Sequence, residues 1–122
     1  MEVNEAVDLG AFYDAAGGDC ADVLARLRSP ERVVRFVRMF AADPTFSALE
    51  GAMGEGDVET AFRASHTLKG TACDVGLTGL ADASSEVCEA LRAGDVDAAA
   101  SLMPAARRAY DRAMAAIGER LG

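Results

Sequence analysis

The sequence has one lysine, one histidine, three cysteines, three prolines and few aromatic residues (6%). Each scarcity excludes something. The cysteines, Cys20, Cys73 and Cys88, are odd in number, widely spaced and without a C-x-x-C pair. They fit neither a disulfide framework nor a zinc site, and they point to a reducing cytoplasm. No stretch approaches the roughly twenty apolar residues of a membrane span. The start, MEVNEAVDLG, lacks the basic and apolar regions of a secretory signal. Strand-like alternation of β-branched or aromatic residues never lasts more than a few positions. There is no glycine-rich nucleotide loop, so autonomous kinase activity is not expected. Cationic residues are also in deficit, 12 against 20 acidic ones, for a formal net charge of −8. That balance sets aside nucleic acid and anionic membrane as partners, because phosphate surfaces reward a basic face.

What is present reads as a run of helices. The 122 residues suit one domain, and Ala, Leu, Arg, Glu and Met dominate. Leu9, Phe12, Tyr13 and Ala16 recur at helical spacing before Gly17-Gly18, and Asp19 can cap a short helix carrying Val23, Leu24 and Leu27. Ser29-Pro30-Glu31 is a helix start, with a capping hydroxyl, proline at the first helical position and an early acid. Val33, Phe36, Val37 and Phe40 then share one face, and Pro44 should kink or break the segment. Spacing resumes through Phe46, Leu49 and Met53 until Gly54 and Gly56 close it.

Asp57 caps a helix reaching about Val75, and Gly76 ends it. Another runs from about Leu77 to Arg92, with Leu80, Ala83, Val87 and Leu91 as its inner stripe. After Gly94-Asp95 the last helix carries Val96, Ala99, Met103, Tyr110, Ala113, Ile117 and Leu121, with a bend expected at Pro104. Short connections force neighbouring helices to be antiparallel. The expected fold is all-α: an antiparallel up-and-down four-helix bundle over residues 30–122, with additional short N-terminal helices over residues 1–29. The starting Met and the complete bundle favour a free-standing chain, and a monomer is expected.

The stretch with chemical content is Asp57 to Gly70. At 100° per residue, Val58, Ala61, Leu68, Ala72 and Val75 cluster on one flank, and His66 falls roughly 130–140° from its centre. The only histidine therefore points out of the core or along its rim. The only lysine, Lys69, lies one turn on, with its Cβ about 5–6 Å away. The other cationic residues are all Arg. An exposed imidazole is mostly neutral at pH 7 and offers a nucleophilic nitrogen to a phosphoryl group. A neighbouring ammonium can meet the phosphoryl oxygens. Gly70 sits mid-helix, where glycine costs about 0.5–1 kcal/mol relative to alanine, in a chain expected to fill such positions with Ala. A missing side chain beside the His leaves room for another protein to approach. Together these residues suggest a phosphoryl carrier.

His66-Thr67-Leu68-Lys69-Gly70-Thr71-Ala72, with Gly76 six residues after Gly70, resembles the signature of histidine-containing phosphotransfer (HPt) domains. The resemblance extends over most of the chain from residue 30. It implies a relay in which His66 takes a phosphoryl group, usually on Nε2, from the aspartyl phosphate of a response-regulator receiver domain and passes it to another receiver. Lys69 would steady the phosphoryl group and Gly70 would leave room for the receiver. The chain would need no cofactor, since Mg²⁺ and the aspartate belong to the partner, and a hybrid histidine kinase would stand upstream. Phe62, Arg63 and Cys73 would line the docking surface. Cys73-Asp74 departs from the small-then-amide pair common in the family, placing an extra negative charge near the site.

Plainer readings stand beside these. Lys69 can be a solvated charge paired with Glu59 or Asp74, Gly70 a helix–helix contact, and Phe62 rim packing. Cys73 and His66, two turns apart with no third soft ligand nearby, make a poor start for a metal site. A second functional reading is a helical adaptor that docks a receiver without transferring phosphate.

Overall fold

The computed structural model describes residues 8–122, so the first seven positions of the expected accessory segment lie outside it. Seven helices follow one another: α1 (Leu9–Ala16), α2 (Cys20–Leu27), α3 (Pro30–Ala41), α4 (Thr45–Glu55), α5 (Val58–Asp74), α6 (Thr78–Arg92) and α7 (Val96–Arg120). Among the described residues there is no strand. Helices α4 to α7 pack in sequence, each against the next, as an antiparallel bundle, while α1 lies on α7 and α3 bridges α2 and α7.

The starts are set by short polar side chains. Asp8, Asp19, Ser29, Asp57 and Asp95 each accept a hydrogen bond from a backbone N–H in the first turn, satisfying a donor that the helix itself cannot pair. Hydrogen bonding from Thr60, side chain first and then backbone, holds the Asp57 carboxyl below the usual carboxylate range. Pro44 breaks the chain rather than kinking it. Helix α3 has already ended at Ala41, and α4 restarts with Pro44 in a capping position that offers no side-chain acceptor. Asp43 supplies the acceptor instead, taking hydrogen bonds from the Thr45 N–H (2.7 Å) and the Thr45 hydroxyl. Pro104, by contrast, lies inside α7 without ending it.

The core is Phe46, Leu49, Leu68, Leu77, Leu80 and Val87, closed by many alanines on α5, α6 and α7 that let the helices approach. Across the seam between α4 and α7, the Phe46 and Tyr110 rings stack at 4.2 Å. Arg107 covers Phe46 and pairs with Glu50 at 2.6 Å. Three residues assigned to apolar faces lie further out than expected. Phe36 is 36% exposed, Val58, the first residue of α5, 37% exposed, and Val96, at the start of α7, 38% exposed. Spacing fixes the face of a helix but not how much neighbouring structure covers its rim.

The N-terminal helices are fastened to the corner between α5 and α6. Gly18 packs so closely there that a Cβ would lie 2.2 Å from the Gly76 carbonyl oxygen. The Asp19 N–H donates to that same oxygen, and the Gly79 N–H donates to the carbonyl of Gly17, serving a helix start that has no side-chain cap. The buried Tyr13 hydroxyl donates to the Val75 carbonyl at 2.6 Å.

Burial, followed by the nearby Cys20 thiol, pushes the Tyr13 phenol well above its ordinary range. The neutral form is the one the fold favours, so this contribution is constant below pH ~10. It is lost as pH rises beyond that, when the unfolded chain gives up its proton first. Tyr110 is shifted the same way, chiefly by burial. In an alkaline titration the Tyr13 phenolate should therefore appear together with loss of helicity, not before it. Tyr13→Phe, which strands the Val75 carbonyl, should cost about 1–3 kcal/mol in denaturant unfolding.

Candidate functional site

Helix α5 carries the residues singled out in the sequence. Ala61, Ala64, Ser65, Leu68 and Ala72 are buried against the bundle, which turns the opposite face to solvent. Along that face run Arg63, His66, Gly70 and Cys73, all exposed, flanked by the half-buried Phe62 and Lys69. By helical geometry Phe62 and Lys69 lie on one side of His66, and Arg63 and Gly70 on the other.

The structure discriminates among the plainer readings. Among the described residues Lys69 has no hydrogen-bond or ion-pair partner, and Glu59, its suggested partner, holds Arg63 instead at 3.2 Å. Lys69 is thus an uncommitted cation one turn from His66. Gly70 is not a helix–helix contact, since an added Cβ would meet nothing within 4 Å. The expectation that comparable positions hold alanine is corrected, however. Gly51, Gly54 and Gly118 are also helical glycines facing open space. What distinguishes Gly70 is its place one turn from the only histidine.

His66 is not isolated on its surface. Helical side chains lean toward the N-terminus, so the imidazole lies over the turn that carries Phe62. The two rings are near-parallel (17°) with centroids 6.2 Å apart. From the end of α6, Arg92 places its guanidinium carbon 5.1 Å from the Phe62 centroid, and Glu89 holds that guanidinium at 3.4 Å. Arg92 escaped the sequence reading. The signal was present, since α5 and α6 fold back about Gly76, with Phe62 and Arg92 at similar distances on either side.

Beyond Gly70 the surface falls into a cleft of about 440 Å³ between α2, α3 and the last turn of α5. Phe36, Met39 and Phe40 form one wall, and Thr71, Asp74 and Val75 another. Met39 is 59% exposed. At the third side Arg26 donates to the carbonyl oxygens of Asp74 (3.0 Å) and Cys73 (3.1 Å) while pairing with Asp22. The α5 helix has no basic residue in its own last turn, so Arg26 supplies the charge that suits a helix C-terminus.

No helix of the described residues is long and apolar enough to cross a membrane. A family model described as the Hpt domain matches residues 38–116, from the end of α3 through most of α7. No curated protein and no solved structure matches the chain.

Proposed function

The chain belongs to the Hpt domain family, which ties it to phosphotransfer in two-component signalling; from this premise we propose that His66 is the phosphoryl acceptor of a phosphorelay. The observation that carries the reading is the juxtaposition of an exposed His66, an unpaired Lys69 and the open space at Gly70 on one face of a helix buried on the other. The donor is the aspartyl phosphate of a receiver domain. The lone pair of His66 Nε2 forms the N–P bond as the P–O bond to the aspartyl carboxylate breaks, and the carboxylate leaves as an anion. The neutral imidazole surrenders no proton from the attacking nitrogen. A second receiver takes the group by the reverse step.

Charge transfers onto the phosphoryl oxygens in an open site, so stabilisation has to come from side chains that are not already paired. Lys69 meets that condition. The receiver contributes the aspartate and its Mg²⁺, and an upstream hybrid histidine kinase charges it. The apolar cleft beside Gly70, with Phe36 and Met39 at its mouth, continues the contact surface that Gly70, Arg63 and Cys73 begin. An adaptor that docks without transfer would share that surface but would have no use for the unpaired Lys69.

The test is incubation of the chain with a radiolabelled, phosphorylated receiver domain. Acid-labile, base-stable label should appear on the chain; binding without label across a panel of receivers would leave the adaptor. Lys69→Ala should slow transfer by about ten- to a hundred-fold, the worth of a charge-assisted hydrogen bond, or shorten the life of the phosphohistidine. Unchanged rate and lifetime would remove Lys69 from the mechanism.

A further inference from the structure

The contact chain Arg92–Phe62–His66 gives the site a part that neither the signature residues nor the docking face supplies. We propose that Phe62 and Arg92 are positioning residues for the acceptor imidazole, a role that rests on the phosphotransfer reading above. The alternative, that Arg92 is a second cation for the phosphoryl group, is disfavoured by its surroundings. Glu89 already engages its guanidinium, which stands over the Phe62 ring with half its side chain in solvent. Charge effects there are screened over about 8–10 Å. Orientation is the effect that remains. An exposed imidazole samples several rotamers, and in-line attack requires a ring nitrogen held toward the incoming phosphorus. Phe62, half-buried and packed on the core, offers a fixed ring near-parallel to the imidazole, its centroid 6.2 Å away. Arg92, from the neighbouring helix, holds that ring in place through a cation–π contact. The acceptor's orientation is thereby referred to two helices instead of one.

The uniqueness of His66 makes the idea measurable. Its ring protons are the only imidazole signals in the spectrum of the full-length chain, and the face of Phe62 shifts them. Phe62→Leu keeps apolar bulk but removes the plane; it should return those signals toward free imidazole and slow label transfer from a phosphorylated receiver. Arg92→Ala should do both more mildly, with transfer slowed about two- to five-fold. Arg92→Lys, which keeps the cation, should restore most of the loss. Melting temperature serves as the control for folding. Imidazole signals and rates unmoved in both Phe62→Leu and Arg92→Ala would overturn the proposal. Slower transfer with unmoved signals would overturn it too, returning Phe62 to the docking surface, as would moved signals with an unchanged rate. Absence of label on the unaltered chain would defeat the phosphotransfer reading itself, and the positioning role with it.

Discussion

Replacing His66 by glutamine is expected to abolish acid-labile label from a phosphorylated receiver entirely while leaving the fold intact. The glutamine amide nitrogen has no free lone pair for the N–P bond, so the loss is one of chemistry, not of degree. The side chain at this position is exposed and takes no part in the buried face formed by Ala61, Leu68 and Ala72. Surface substitutions of this kind fall within about 0.5 kcal/mol in stability. Thermal melting and receiver binding of His66→Gln should therefore match the unaltered chain. Label persisting in that variant would place the acceptor elsewhere and sink the assignment.

The second large effect separates two meanings of a single glycine. Gly70→Arg should cut transfer by a hundred-fold or more, because the added side chain projects from the face where the partner must come within bonding distance. Displacements of about 1 Å in such an approach already cost on the order of a hundred-fold. Its stability should not fall, since the space around Gly70 is empty and arginine is the better helix former. Gly70→Ala sharpens the contrast. It should raise stability by about 0.5–1 kcal/mol, a few degrees of melting temperature, with a much smaller effect on transfer than arginine. A marked loss of stability in either variant would show that Gly70 serves packing and would remove the docking argument. Near-normal transfer in Gly70→Arg would do the same.

Much of this was legible in the chain because the relevant signals are local. Asp57 and Asp95 cap the helices they precede, Gly76 and Gly94 take positive φ at the turns they mark, and the 100° periodicity of α5 turns His66 outward. The covering of rims is not local. Phe36 has the spacing of a core residue, yet it lines the cleft that lies between α2, α3 and the end of α5. The anchoring of α1 and α2 was invisible for the same reason. Arg26 and Asp74 are separated by 48 positions, Tyr13 and Val75 by 62, and no periodicity links such pairs. Arg92 lay between these cases. Hairpin register brings it near Phe62, but register does not say that a guanidinium will settle over the ring. Composition misled once, in suggesting that a helical glycine is exceptional in this chain when Gly51, Gly54 and Gly118 share the condition.

The clamp on the end of α5 bears on how partners are told apart. A helix tied at its start by Asp57 and at its finish by Arg26 and Tyr13 has little left to order when something lands on it. Association then carries almost no penalty for stiffening the backbone, and affinity is decided by the fit of surfaces already in place. On the proposed phosphotransfer role, such a surface should discriminate in the manner of a template: a receiver with the wrong contour should be refused at first contact instead of being accommodated by adjustment. If receivers are the partners, divergence among them should accordingly be recorded in the side chains at the cleft, Phe36 and Met39, and in the exposed Cys73 on the His66 face, with the scaffold beneath them left alone.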